Sequence, residues 1–337
     1  MKFVKGFSIV LLAFFINGCA SYIANEIMAP QKLIVSGNWT SEKAFCDDNF
    51  HCIRALGIDK IKNKKIDMMT FNFYINNNQQ FWQYQKIKDQ NNVSKPLDKQ
   101  LIFVFAGYNE STDLLFIYQS WLQDMTGAEV FVIPSANKSE KFKFGLNFVA
   151  PIVTEIKRRH PEKVHLVGFS MGAVAAQAVA EKIENAQLYL IAPMTDFDHS
   201  TKALWKIFYS KKFYAKLIST NELENAVQIV YDKSKTSAED INIVNKAKKS
   251  NTPTHVFTSN QDRIALSSDW NKSQGENITL NQYEQLNHFE MAALLNQNLL
   301  ADFTSQLLGR KVSVDEKDII GILCKVEDKV CLSQMKE

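Results

Sequence analysis

The sequence predicts an α/β fold in which a mostly parallel central sheet carries helices on both faces. Short, continuously apolar runs, typical of strands buried on both faces, alternate along the chain with helical runs. One apolar run from Val164 passes through Gly168-Phe169-Ser170-Met171-Gly172 into an alanine-rich helical run. Strands that alternate with helices in this way pair in parallel, because each helix returns the chain to the same end of the sheet.

Length and charge bound the class of protein. The chain has 337 residues, of which 46% are hydrophobic, and this suits one large domain with an elaboration, or two domains. The formal net charge is only +3. Since nucleic-acid binding needs a strongly basic surface, we expect no nucleic-acid partner.

Residues 1–18 are predicted to be a signal peptide, because Lys2 and Lys5 precede a short apolar run that is too brief to span a bilayer. The run ends in Ile16-Asn17-Gly18-Cys19-Ala20, which resembles the lipobox of bacterial lipoproteins. The resemblance implies a lipid anchor on Cys19 and a cell-envelope location, on the periplasmic face of the outer membrane because Ala20 is not the retaining aspartate. An ordinary secretory signal with a coincidental cysteine is the alternative.

The other four cysteines are Cys46, Cys52, Cys324 and Cys331. An even number in an oxidising compartment suggests two disulfides, and short spacings favour Cys46–Cys52 and Cys324–Cys331. The Cys46 to Cys52 spacing fits no common structural zinc site, so we expect no metal.

The N-terminal part divides into two predicted pieces. Residues 19–65 read as a tether followed by a cysteine-clipped segment. From Met68 to Ile87, two alternating aromatic runs flank an Asn-rich turn at 76–78 and predict a β-hairpin. The main domain is expected to cover 66–308.

Leu101–Phe105 is a predicted buried strand that leads into Ala106-Gly107-Tyr108-Asn109, and a helix is expected from Ser111. With the Gly-x-Ser-x-Gly turn, this loop resembles the α/β-hydrolase superfamily, in particular the branch whose third strand ends in His-Gly-Tyr-Asn. Ala106 replaces that histidine here. The resemblance covers roughly residues 68–308 and implies the α/β-hydrolase fold.

The remaining elements follow the order of that superfamily. The predicted strands are Val130–Pro134, Leu188–Pro193, Thr254–Thr258 and Ile278–Leu280; the predicted helices are Phe142–His160, interrupted by Pro151, and a closing helix Phe289–Leu308. Residues 309–337 form a C-terminal extension.

A long insertion, 194–252, lies between two predicted strands and is helical in pattern: Ala203–Ile218, a run from Glu222 and a run from Ala238. The superfamily commonly carries a lid there. The first helix mixes aromatic residues with lysines, which suits either a lid meeting an acyl chain or anionic lipid, or a helix that packs on its own domain.

Ser170 is the candidate nucleophile, since a strained strand-turn-helix context exposes its hydroxyl. The superfamily order of nucleophile, acid and histidine implies Asp262 as the acid and His288 as the base. Asp196 and Asp198, after the preceding strand, are rival acids. The backbone N–H groups of Tyr108 and Met171 would form the oxyanion hole, and the loop glycines Gly107, Gly168 and Gly172 would allow the close approach that the site needs.

The sequence therefore predicts a lipid-anchored serine hydrolase that cleaves a carboxylic ester of a small-molecule or lipid substrate through an acyl-enzyme, without a cofactor. An acyltransferase, a peptidase or a thioesterase on the same triad are alternatives. A non-catalytic envelope lipoprotein with a hydrolase-like fold is another.

Overall fold

The computed structural model describes residues 19–30, 40–49, 51–58, 68–75, 78–86, 95–110, 115–210, 218–273 and 275–335. The predicted signal peptide, the hairpin turn residues 76–77 and the predicted helix start at 111–114 lie outside the described residues.

A central sheet of eight strands organises the fold. Its spatial order is β1-β2-β6-β5-β7-β8-β9-β10, and the six strands from β6 to β10 in that order pair in parallel. The strands are β1 (Thr40–Cys46), β2 (Cys52–Ile58), β5 (Leu101–Phe105), β6 (Glu129–Ile133), β7 (Val164–Phe169), β8 (Ala186–Ile191), β9 (Thr254–Ser259) and β10 (Ile278–Tyr283). The predicted α/β class is confirmed.

Helices cover both faces of this sheet. They are α1 (residues 19–28), α2 (Phe116–Thr126), α3 (Val149–Arg159), α4 (Gly172–Ala180), α5 (Phe197–Phe208), α6 (Thr220–Ser234), α7 (Ile243–Lys249), α8 (His288–Ala292) and α9 (Gln297–Leu308). Successive residues of β5 point to opposite faces. Phe103 and Phe105 join the core with α3, α4, α6 and α7, while Ile102 and Val104 join the core with α2, α8 and α9. Within the described residues, no helix combines the length and the apolar composition that crossing a bilayer requires.

The described residues of the predicted tether and cysteine-clipped segment pack on the main domain. Residues 19–28 are helical, and Ala20, Ile23 and Ala24 are buried in the main core. The hairpin β1–β2 extends the central sheet through its antiparallel pairing with β6. Residues on the N-terminal side of the expected boundary at 65–66 therefore supply two strands of the central sheet.

Both expected disulfides, Cys46–Cys52 and Cys324–Cys331, are present. The first joins directly paired residues of β1 and β2, so its thiols are not available to zinc.

A second, three-stranded sheet has the order β11-β4-β3. The predicted hairpin supplies β3 (Met68–Ile75) and β4 (Asn78–Gln85), and the C-terminal extension supplies β11 (Ile322–Lys325), between the short helices α10 (Lys317–Ile320) and α11 (Lys329–Leu332). The extension is thus a packed part of the domain.

Several predicted helix boundaries are wrong. The helix expected at Phe142–His160 begins at Val149, and Pro151 lies in its first turn, where the missing N–H costs nothing. The closing helix is broken into α8 and α9, because Leu294 adopts a positive φ of 50° and Asn296 caps a new helix.

The insertion between β8 and β9 carries α5, α6 and α7. Ser219 and Glu222 form a capping box on α6 as the pattern predicts, but residues after Ser237 form a turn and α7 begins only after its cap, Asn242. Buried side chains of α6 and α7 belong to the main core. On α5, Trp205 packs against that core while Phe208 is 41% exposed, so the helix has features of both alternatives.

Candidate active site

Ser170 sits in a sharp turn between β7 and α4. Its φ is 47°, a left-handed conformation that is strained for a residue with a side chain. A Cβ on Gly168 would lie 2.6 Å from the Ala173 Cα, and a Cβ on Gly172 would lie 2.7 Å from the Ala106 carbonyl oxygen. Only glycine fits at these two positions, and the tight turn presents the serine hydroxyl beyond the carboxyl end of the strand.

The structure brings the predicted serine, histidine and aspartate together. His288 Nε2 lies 2.9 Å from Ser170 Oγ, and His288 Nδ1 lies 2.8 Å from Asp262 Oδ2. The side chain of His288 is 8% exposed and that of Asp262 is fully buried. With a proton on Nδ1 donated to the carboxylate, Nε2 is free to accept the serine proton.

Local structure holds each partner in place. Asp262 follows β9, and its Oδ1 accepts hydrogen bonds from the backbone N–H groups of Ile264 (2.8 Å) and Ala265 (2.9 Å). His288 is the first residue of α8, where Asn287 and Glu290 form a capping box. The capping box fixes the backbone from which the imidazole projects.

The rival acids lie elsewhere in the hydrogen-bond network. Asp196 caps α5 by accepting a hydrogen bond from the His199 N–H, and Asp198 accepts one from Lys202 Nζ. His288 makes its carboxylate contact with Asp262 instead.

The loop after β5 lies against the nucleophile turn. A Cβ on Gly107 would lie 3.4 Å from both the Ser170 Cβ and the Phe169 carbonyl oxygen. Tyr108 and Met171 each offer a backbone N–H, and no described residue accepts a hydrogen bond from either. The two groups expected to form an oxyanion hole are therefore available.

The Tyr108 side chain points the other way, to the N-terminal helix. Its hydroxyl donates a 2.8 Å hydrogen bond to the Ile27 carbonyl oxygen at the end of α1, and burial raises the pKa of the phenol above its ordinary value. On the same helix, Asn25 Oδ1 accepts a hydrogen bond from Lys233 of α6. Helix α1 thus joins the loop to the insertion.

Sequence reasoning missed Glu110, whose carboxylate accepts a hydrogen bond from the Gly107 N–H, and it also missed α1. A signal for Glu110 was present in the Gly-x-x-Glu spacing, because a side chain can return to a backbone N–H three residues earlier. No separate signal for α1 is present in the sequence, because this helix directly follows the segment predicted to be a signal peptide.

Among the described residues, no cluster of histidine, cysteine, aspartate and glutamate side chains has a geometry able to hold a metal ion.

The sheet order, the strand-turn-helix at Ser170 and the crossover helices define an α/β-hydrolase fold. No family model and no curated protein sequence matches the chain. Among solved structures, the Pyrococcus furiosus esterase Pf2001 is similar, with a TM-score of 0.53 and 12% identity over 85% of this chain and 98% of that one. A second crystal form of that esterase gives 0.52 and 11% over 83% and 97%. At this identity the similarity shows the fold.

Proposed function

We propose that this protein is a serine hydrolase that cleaves carboxylic esters through an acyl-enzyme intermediate. The observation that supports it most strongly is the continuous hydrogen-bonded chain from Ser170 Oγ through His288 to the buried carboxylate of Asp262. The esterase fold of the structural neighbours agrees with this activity.

The proposed reaction has two halves. In the first, Ser170 Oγ attacks the ester carbonyl carbon while its proton passes to His288 Nε2. The bond to the alcohol then breaks, and His288 returns the proton to the departing oxygen. In the second half, His288 takes a proton from water, the hydroxide attacks the acyl carbonyl, and the acid leaves as the proton returns to Ser170.

Asp262 and the two free N–H groups stabilise opposite charges that develop during this reaction. The carboxylate stabilises the imidazolium that forms in each half. The N–H groups of Tyr108 and Met171 stabilise the oxyanion, and one such donor typically contributes about 3–4 kcal/mol to lowering the barrier.

A fluorophosphonate probe tests the nucleophile, since it reacts irreversibly with an activated serine. Wild type should be labelled, should hydrolyse p-nitrophenyl butyrate, and should lose both properties in Ser170→Ala. Ser305→Ala is the matched control, because its hydroxyl bonds the Ala301 carbonyl within α9. Labelling of Ser170→Ala at the wild-type rate would contradict the assignment, and a folded but unlabelled wild type would favour a non-catalytic envelope protein.

We also propose that Cys19 is lipidated and anchors the protein at the periplasmic face of the outer membrane. The proposal rests on the lipobox-like sequence around Cys19, which is a free, partly exposed cysteine at the start of the described chain. Cys19→Ser should move the protein from the membrane to the soluble fraction. Continued fractionation of that variant with membranes would contradict lipidation as the anchor.

A further inference from the structure

Residues Gly107 to Glu110 form a turn that is closed by two reciprocal hydrogen bonds. The Glu110 N–H donates to the Gly107 carbonyl oxygen at 3.2 Å. In return, the Gly107 N–H donates to Glu110 Oε2 at 2.6 Å. One residue therefore restrains the peptide units on both sides of Gly107.

These restraints determine where the Tyr108 N–H points. In a trans peptide the C=O and the following N–H point in opposite directions. Because the Gly107 C=O is turned toward Glu110, the Tyr108 N–H in the same peptide unit faces away from it. The side-chain bond occupies the neighbouring Gly107 N–H, which leaves Tyr108 as the unoccupied donor of this turn.

The Glu110 carboxyl and the Ser170 side chain both lie close to Gly107. The position that a Gly107 Cβ would occupy is 3.3 Å from Glu110 Oε2 and 3.4 Å from the Ser170 Cβ. Although part of the residue remains accessible to solvent, the surrounding protein desolvates the carboxyl and raises its pKa to about 7, while the Gly107 hydrogen bond and the His288 charge act in the opposite direction. Near neutral pH both protonation states occur, and an oxygen can accept the Gly107 N–H in either.

The far end of the turn has separate supports. The Asn109 N–H lies 3.0 Å from both Ser135 Oγ and Asn137 Oδ1. These contacts do not involve Glu110, so changing Glu110 should alter the orientation of the Gly107 peptides without releasing the whole loop.

We propose that Glu110 is a positioning residue that aims the Tyr108 N–H at the oxyanion by accepting the Gly107 N–H. This inference rests on the proposed hydrolase function. It requires the reach and the acceptor oxygen of the side chain and does not require its charge.

Two conservative variants separate reach from charge. Glu110→Gln keeps the side-chain length and an acceptor oxygen but removes the charge. Glu110→Asp keeps the charge but withdraws the carboxyl by one carbon–carbon bond. Glu155→Asp is the matched control, because Glu155 is a buried carboxylate on α3 that binds Arg158 and Arg159.

The measurements are kcat and KM for p-nitrophenyl butyrate at pH 8, and the inhibition constant of an alkyl trifluoromethyl ketone, which forms an oxyanion on the nucleophile. Loss of an oxyanion donor typically lowers kcat by about 100-fold or more, so a misaimed donor in Glu110→Asp should lower kcat by roughly 10- to 100-fold. The inhibition constant should rise by a similar factor while KM changes little. Glu110→Gln and Glu155→Asp should stay within about threefold of wild type in all three constants, a change below 1 kcal/mol.

Three results would overturn the inference. One is a Glu110→Asp enzyme with normal kcat and inhibition constant. Another is a loss confined to KM. The third is a Glu110→Gln enzyme as impaired as Glu110→Asp, which would assign the effect to charge. Failure of the proposed function is distinct, since wild type itself would then show neither labelling nor turnover.

Discussion

Asp262 and Asp196 are two aspartates of the same chain whose surroundings suit them to different tasks. Asp262 has one oxygen on His288 and the other on two backbone N–H groups. Asp196 uses its carboxylate to cap α5. The carboxylate that contacts the imidazole can orient it, while the cap stabilises only its helix.

Asp262→Asn should therefore lower kcat for p-nitrophenyl butyrate by about four orders of magnitude, because an amide NH2 facing Nδ1 favours the wrong histidine tautomer. Asp196→Asn should change kcat by less than about tenfold, and the helix cap should survive since asparagine caps as well as aspartate. Steady-state kinetics with circular dichroism checks both variants. A near-normal Asp262→Asn enzyme would refute the assignment.

At the level of individual residues, the sequence predicted the three side chains that lie together, because the superfamily that the chain resembles has its serine, acid and histidine in that order along the chain. It did not predict Glu110. The Gly-x-x-Glu spacing allows the carboxyl to return to the Gly107 N–H, but the importance of that bond depends on the nucleophile turn, which is distant in sequence.

The turn between β7 and α4 can approach the end of β5 closely because Gly172 has no side chain. The Gly172 backbone lies directly against the carbonyl oxygens of Phe105 and Ala106 at the end of β5. These oxygens lie where β5 leads into the loop that carries Tyr108, so the space at Gly172 sets the separation of the two halves of the proposed oxyanion hole.

Gly172→Ala should destabilise the fold by about 1–3 kcal/mol, as overpacking does, and should also slow fluorophosphonate labelling because the loop must shift. An added Cβ on Gly275 would have no atom of the described residues within 4 Å, so Gly275→Ala should stay within about 0.5 kcal/mol of wild type. Urea unfolding midpoints and labelling rates compare the two. Equal behaviour of both variants would show that the contact at Gly172 is unimportant.

Among the elements, buried strands were predicted well because a strand covered on both faces must be apolar throughout, as in Leu101–Phe105. Helix ends were predicted poorly. The sequence predicts that Pro151 interrupts its helix, whereas proline is tolerated in a first turn, and only the tertiary position of α3 reveals which turn is first.

The stability of the whole molecule depends on keeping two histidines neutral. Burial lowers the pKa of His165 to about 3 and that of His255 to about 4, with the Lys163 charge adding to both shifts. His165 lies between the Tyr189 hydroxyl and Gln100 Oε1, beneath the sheet surface that α9 covers. Protonation of His165 would place an uncompensated charge in the core, and protonation of the partly buried His255 would place one at its margin.

Because these pKa values are lowered on folding, the unfolded chain binds more protons below about pH 6.5, and their contribution to stability falls as pH falls toward 4. Glu110 acts oppositely between about pH 4.5 and 7, since its raised pKa lets the folded state bind the extra proton. A variant that removes one histidine separates the contribution of that histidine to the pH dependence of stability from the contributions of the other groups.

His165→Gln should be less stable than wild type at pH 7.5, and the difference should shrink by about 1.4 kcal/mol per pH unit below 6.5. Urea unfolding of both proteins from pH 7.5 to 5 measures it. Parallel stability curves would mean that His165 retains its ordinary pKa in the fold.

The place of β1 and β2 in the central sheet is a property of the whole molecule, and sequence composition does not predict it. Strand β1 is an edge strand and contains Glu42 and Lys43. Charged residues on an edge strand prevent pairing with another chain, but they also make its sequence resemble that of a loop. Its membership of the sheet depends on pairing with β2 and, through it, β6, which lies more than 70 residues further along the chain.

If Cys19 carries the lipid anchor proposed above, helix α1 determines how far the site lies from that anchor. Cys19 precedes Ile27 by eight residues, which places about 12 Å of rigid helix between the lipid-bearing position proposed above and the carbonyl that holds Tyr108. An enzyme on a long flexible tether samples a large volume of solvent and can meet any substrate that diffuses through it. An enzyme held to its anchor by a short rigid helix stays at one distance from the bilayer. Its substrates are then selected by how far their ester bonds project from the lipid surface.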